Sequence, residues 1–331
     1  MYNSSRYDYD HIILPYPFPS SVAFLLTGYS IVATTVGAVG NILIWLSIMQ
    51  TSRLKTATNF LVAHLAFTDL GNCAICFPTF IPALLGNDYL FKSLHLCKIQ
   101  FYLASIFSSQ SAVMLNVIAL NRYCLVTKKI SVYRKLFNAK ATAVTVAVLW
   151  VLNTFVILLP EMGFGNVVPV PPLHTCLMEP GDPMSWLLWT LLVCVSFFLC
   201  YLAIPLFYFL TFAFAKRSKR KVINHLVVRP GITDNNASLA HQTNERSRQT
   251  CKKAELRYTM VSALVYCTFT ICWTPLCIVH LVNRNSPVAS WVYHYCFLLI
   301  YTNSCLNPFI YAGLNRNFRR KIKQLLRLEV D

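Results

Sequence analysis

Residues 117–126 read "VIALNRYCLV", and Arg122 is the residue on which the reading of the fold turns. It closes a run from Ile99 to Asn121 that contains no Lys, Arg, Asp or Glu. Such a run is long enough to cross a hydrocarbon core of roughly 30 Å, which takes about 20 apolar residues as a helix. A full charge at its end is either a side chain snorkelling to a polar surface or a group placed there for a partner.

Composition supports the membrane setting. The chain has 331 residues, of which 56% are hydrophobic and 12% charged, and its mean hydropathy is +0.51. A soluble chain of this length would be more polar. Seven long apolar stretches emerge, at 22–50, 57–85 (interrupted by Asp69), 96–127 (by Lys98 and Arg122), 141–160, 185–215, 258–282 and 287–313. Pro205, Pro275 and Pro308 fall inside them and are tolerable where neighbouring helices satisfy the freed backbone groups. The expected fold is an all-α membrane protein, a seven-transmembrane helix bundle.

Charge sets the orientation. A formal net charge of +17 on a soluble domain would suggest nucleic acid, but its placement argues against that partner. With the N-terminus outside, the outer segments hold Arg6, Lys92, Lys98 and Arg284, four of the 29 Lys and Arg residues. The remainder lie inside, which is the positive-inside rule. The densest run, "KRSKRK" at 216–221, reads as a topological determinant touching anionic membrane lipid.

The chain then divides into an extracellular tail (1–21), a seven-span domain (22–314) with its third inner loop at 216–257, and a cytoplasmic end (315–331). Residues 1–21 lack a basic start followed by an apolar core, so the first span is expected to act as its own insertion signal. Asn3 in "NSS" is a glycosylation acceptor on the outer tail, whereas "NAS" at 236–238 lies inside, beyond reach of the sugar machinery. Residues 222–257, with "RPGITDNN" among them, read as a mobile inner loop feeding the sixth helix.

Most of the 13 cysteines fall inside spans, where Cys behaves as a small apolar residue. Cys97 opens the third helix on the outer side and Cys176 lies in the outer loop 161–184. That compartment is oxidising, so a Cys97–Cys176 disulfide is expected. Arg122 is 25 residues further on, about 37 Å of helix, and therefore at the inner surface. Glu255 precedes Pro275 by 20 residues, about 30 Å, at the same inner level. An Arg122–Glu255 contact between helices three and six is a plausible latch.

Asp69 in "LAFTDL" lies 12 residues beyond Ala57, about 18 Å along its helix and close to the midplane. A bare carboxylate there costs roughly 2.5–3.5 kcal/mol on insertion scales. Asn41, Ser111, Asn303 and Asn307 are at similar depth. They form either polar glue between helices or, with Asp69, a small cation (sodium) or proton site.

The motifs in sequence are "GN" at 40–41, "LAFTD" at 65–69, Cys97, "NRY" at 121–123, Trp150, Cys176, Pro205, "FTICWTP" at 269–275, and "NPFIY" at 307–311 followed by "NRNFRRKIKQ". In this order on seven spans they resemble the rhodopsin-like (class A) G protein-coupled receptors over nearly the whole chain. The resemblance implies a plasma-membrane receptor that activates heterotrimeric G proteins by movement of helix six, with arrestin and receptor kinase as further partners. It places Phe269, Trp273 and Pro275 below the ligand as the transmission switch. Asn307, Pro308 and Tyr311 belong to the activation machinery, and Arg122 with Tyr123 meets the G protein. Residues 315–327 are expected to form a basic amphipathic helix along the inner surface.

Two positions depart from the family pattern. The acid that usually precedes the arginine is Asn121, which puts more weight on Glu255 and implies raised basal signalling. Eight residues after Pro205, where a tyrosine is usual, stands Ala213, and Tyr208 is on a different helix face.

"NRYC", "CWTPL" and "NSCLNPFIYAGLNRNFR" are similar to the branch holding melatonin receptors, the medium-chain fatty-acid receptor and related orphans. Residues 285–315 contain no lysine for a retinal Schiff base, and Ala104 stands where amine receptors carry an aspartate. The mouth of the bundle offers Ala104, Ser105 and Ser108 on helix three, and His280, Arg284, His294 and Tyr301 on helices six and seven. His280 and Arg284 share a face, to hold an anionic or carbonyl head or merely to snorkel. The expected ligand is a small neutral or acidic apolar molecule, with a peptide as the alternative within the family. A transporter or channel would show broken helices or several deep charges. An enzyme would show a nucleophile motif or metal ligands such as G-x-S-x-G or H-E-x-x-H, and neither occurs.

Overall fold

The computed structural model describes residues 18–51, 54, 56–85, 93–170, 173–179, 181–227, 235–282 and 288–326, with the backbone alone at 197, 219–227, 235–255, 316 and 317. Asn3 and Arg284 lie outside the described residues, as does the side chain of Glu255.

Among the described residues, seven long helices form the bundle. α1 is Ser20–Gln50, α2 Ala57–Leu84, α3 Leu94–Thr127 and α4 Ala139–Ile157. α5 runs from Pro183–Phe197 through a π-turn, Phe198–Ala203, into Ile204–Val227. α6 is Asn235–Val282 and α7 Ser290–Leu314. A short helix, Ile130–Leu136, lies between α3 and α4, and α8, Arg316–Leu325, follows α7.

Helix starts follow from local chemistry. Thr56, Ser93, Asn138 and Asp182 each accept a hydrogen bond from the backbone N–H three residues on, satisfying a donor that has no partner within the helix. Pro183 takes the first position of α5, where a missing N–H costs nothing. Helices α2 and α5 pass through π-turns at Asn72–Cys76 and Phe198–Ala203, just ahead of Pro78 and Pro205. These are the local adjustments that let a helix carry proline.

Among the described residues, α1 to α6 are long and apolar enough to cross a membrane by length and composition. α7 has 25 residues, about 37 Å, and is more polar because Asn303, Ser304 and Asn307 are buried within the bundle. The outside is apolar, with Leu25, Val151, Phe209, Ile271 and Phe309 exposed. Such a surface fits lipid rather than water.

Gly40 and Gly71 permit close helix contact. A Cβ on Gly40 would sit 2.7 Å from Pro308 Cβ, and one on Gly71 2.5 Å from the Phe107 ring. Beside Gly40, Asn41 Nδ2 donates to the Ser304 carbonyl at 3.0 Å, joining α1 to α7. The inner half of the core is built on Leu61, Leu65, Met114, Leu115, Ile118, Ile204, Val265 and Tyr311.

Two features differ from the sequence reading. The segment 222–257, expected as a mobile loop, is helical over 222–227 and 235–257. After Gly231 this stretch has neither Gly nor Pro and is rich in Ala, Leu, Gln, Glu, Lys and Arg, which favour helix. The outer loop contains an antiparallel hairpin, β1 (Val167–Val170) and β2 (Thr175–Met178), pairing Pro169 with Cys176. Its valines suit a pleated half-buried surface.

Candidate functional site

Beneath the hairpin lies a cavity of about 830 Å3. Its roof is held in several ways. Cys97 and Cys176 form a disulfide between α3 and β2. Thr175 Oγ1 donates to Gln100 Oε1 at 3.1 Å. Lys98 Nζ and Tyr102 Oη donate to one oxygen of Glu161 at 2.8 and 2.7 Å, holding that carboxyl below the usual carboxylate range. The floor is Phe269 stacked on Trp273 with centroids 5.4 Å apart. Val113, Leu149, Val156, Leu276 and Ile300 form the walls, and the cavity reaches Leu152 and Val195, both exposed on the outside of the bundle.

Of the ligand residues expected from sequence, Ala104, Ser105, Ser108, His280 and Tyr301 line this cavity. His294 does not. It is one residue on from Tyr293, which does, and so is turned about 100° around α7. Its ring packs against Phe18 and Phe80 at 5.7 and 5.8 Å, and Nδ1 is 2.8 Å from the Ser290 carbonyl.

The structure adds Asn116, Asn153, Glu179, Trp189 and Tyr201 to the lining. Asn153 accepts from Ser109 Oγ at 2.8 Å, whereas Asn116 Oδ1 makes no hydrogen bond among the described residues. Glu179 follows Cys176 by three residues, a spacing from which its place near the mouth could have been read once the disulfide was assumed. Among the described lining residues there is no Lys or Arg, and Glu179 is the one carboxylate.

Below the floor, Asp69 is fully buried at 0% exposure. Asn307 Nδ2 donates to one carboxylate oxygen at 2.6 Å and Ser111 Oγ to the other at 3.2 Å. Ser304 also bonds to Asp69. Around them Thr68 pairs with Ser111, Asn72 donates to Ser304, and Ser108 donates to Asn72. Asn303 is buried nearby in sequence but makes no direct bond to Asp69 among the contacts described. Its Oδ1 and that of Asn307 make no hydrogen bond among the described residues.

At the inner end, Arg122 is buried at 5% exposure, with its guanidinium carbon 5.6 Å from the centroid of the Tyr258 ring. Asn121 accepts from Thr58 Oγ1 at 2.6 Å and donates to Tyr133 Oη at 3.3 Å, so it joins α3 to α2 and to the short inner helix. Tyr123 packs on Phe207, its ring 5.8 Å away. Tyr311 is buried against Phe318 of α8, and Tyr208, not Ala213, is the tyrosine that α5 buries in the same cluster. Pro275 and Pro308 lie inside α6 and α7.

The family model described as "7 transmembrane receptor (rhodopsin family)" matches residues 40–311. The chain belongs to that family. Among curated proteins this receptor is similar to melatonin receptor type 1C of Gallus gallus, with 28% identity over 91% of this chain and 81% of the relative. Melatonin receptor type 1B of Homo sapiens is 27% identical over 94% and 80%. The crystal structure of squid rhodopsin matches with a TM-score of 0.81 at 20% identity, covering 100% of this chain and 94% of that one, which shows the fold. The protein is therefore a G protein-coupled receptor for an extracellular ligand, a multi-pass membrane protein and not an enzyme.

Proposed function

We propose that the receptor sits in the plasma membrane with its N-terminus outside, binds a small, largely apolar molecule in the cavity, and signals by movement of α6. The observation that carries this is the cavity itself. It is roofed by a disulfide-tied hairpin, floored by Phe269 and Trp273 of α6, and lined mainly by apolar side chains. A volume of this size suits a drug-sized molecule better than a peptide. Its contact with Leu152 and Val195 suits a lipid-soluble one.

Of the neutral and acidic ligands expected from sequence, the neutral class is favoured. Glu179 would repel an acid, and the described lining supplies amides and hydroxyls but no permanent cation. The curated relatives are melatonin receptors, and a neutral indole amide is of this class. The test is a screen of neutral, acidic and amine libraries on cells carrying a panel of G-protein reporters. Neutral agonists weakened by His280→Ala are expected; a potent primary amine or peptide insensitive to that change would contradict the reading. Arrestin and a receptor kinase would follow activation, and the basic α8 would rest on anionic lipid.

Asp69, Ser111, Asn303 and Asn307 would hold a sodium ion in the resting state. Their donor set is all oxygen, with two amide oxygens otherwise unpaired, which fits a hard cation. The ion would neutralise the buried carboxylate. By linkage, raising sodium is expected to lower agonist affinity, and Asp69→Asn to remove that dependence. Radioligand binding across a sodium series measures it; equal dependence in wild type and variant leaves only structural glue.

A further inference from the structure

We infer that at Ser108 and Ser109 the cavity accepts hydrogen bonds and gives none, and that Asn72 sets this polarity at Ser108 from the buried Asp69. The cavity thus selects a neutral molecule that carries an N–H or O–H donor where it faces α3. This deepens the reading of the cavity as the site of a small, largely apolar molecule and rests on it.

The direction of each hydrogen bond follows outward from the carboxylate. A carboxylate only accepts, so the Ser304 hydroxyl bonded to Asp69 directs its one proton there. Ser304 Oγ then accepts from Asn72 Nδ2 at 3.2 Å. This fixes the Asn72 amide, with its nitrogen toward α7 and its oxygen toward α3. Asn72 Oδ1 accepts in turn from Ser108 Oγ at 3.1 Å. Ser108 lines the cavity, and its proton is held on the side away from it. Turning that hydroxyl round to serve a ligand carbonyl or ether would strip the donor from an amide oxygen of Asn72, which is only 3% exposed. A buried acceptor left without a donor costs more than a typical hydrogen bond gains.

Ser109, also in the lining, reaches the same polarity by a separate route. Asn153 Nδ2 donates to the Ile106 carbonyl at 3.1 Å, which turns the Asn153 oxygen toward Ser109. Ser109 Oγ lies 2.8 Å from that oxygen and 2.6 Å from the Ser105 carbonyl. Both neighbours are acceptors, so the proton stays with the protein. A serine hydroxyl has one proton and two lone pairs, and what these two serines offer the cavity is lone pairs.

A molecule with a ring N–H, an amide N–H or a hydroxyl facing α3 gains a bond there. One of the same shape with an ether oxygen sets lone pairs against lone pairs, and one with a CH2 leaves the serine oxygens unpaired. Sites built around a hydrogen bond reject such analogues strongly. Asn72 is not among the lining residues and acts as a positioning residue.

The experiment uses three rigid tricyclic probes of one shape: carbazole with a ring N–H, dibenzofuran with an oxygen in its place, and fluorene with a CH2. Their dissociation constants are measured on the purified full-length receptor in lipid nanodiscs, with empty discs as the blank. Carbazole is expected to bind wild type about tenfold or more tighter than either analogue. Changing Ser108 and Ser109 together to Ala is expected to bring all three within about twofold. Asn72→Leu, which releases the Ser108 proton, is expected to shrink the carbazole-to-dibenzofuran preference about threefold or more. A purely structural effect would move all three probes together. Equal affinities of the three probes for wild type would overturn the inference while leaving the cavity as a small-molecule site, and this comparison needs no variant. A wild-type preference in Asn72→Leu would overturn the part assigned to Asn72. Binding of no probe above the empty discs would reject the reading of the cavity as a site for apolar molecules, and the inference with it.

Discussion

Arg122→Ala is expected to cut G-protein signalling by about tenfold or more, equivalent to about 1.4 kcal/mol or more of coupling, while ligand affinity and surface density stay near wild type. The residue is at the inner end of α3, far from the cavity, so the ligand does not sense it directly. Its burial against Tyr258 shows a charge kept within the bundle, not one extended into the headgroups. A concentration–response series with matched surface expression checks this. Full signalling by the variant would leave Arg122 as a snorkelling side chain and nothing more.

The second large effect concerns the roof. Cys97→Ser and Cys176→Ser are each expected to reduce surface display several-fold, because loss of a native disulfide costs about 2–5 kcal/mol and abundance responds to changes of this size. The cross-link spans 79 residues and anchors the hairpin that covers the cavity. The double variant should be no worse than either single one, since both remove the same bond. Flow cytometry of an epitope-tagged receptor reads the result, and additive losses in the double variant would contradict the pairing.

Much of this architecture is legible in the sequence because the membrane makes strong, one-dimensional demands. Long apolar runs give the spans. Cys97 and Cys176 stand out because one opens the third span at its outer end and the other lies in the loop 161–184. Asp69 stands out because a deep carboxylate needs partners, and Ser111 and Asn307 prove to be two of them.

Other features were hidden for physical reasons. Tyr208 is buried in the inner core, on a different face of α5 from Ala213, the position at which the family pattern places a tyrosine. Depth alone places His294 among the ligand residues, but a single residue's rotation turns it to Phe18 and Phe80. Glu179 and the hairpin depend on how an outer loop folds back over the bundle. Arg257 and Tyr258 resemble any polar residues at an inner helix end until their partners on α7 and α3 are seen.

We propose that this chain catalyses nucleotide exchange on a heterotrimeric G protein through Arg122. The most direct measurement is GTP-analogue uptake by purified G proteins of each class, with and without the reconstituted receptor. Wild type is expected to accelerate uptake on at least one class, and Arg122→Ala, equally folded and inserted, to lose most of that acceleration. Identical uptake with wild type, Arg122→Ala and empty vesicles on every class, whether or not a cavity-binding molecule is present, would contradict it.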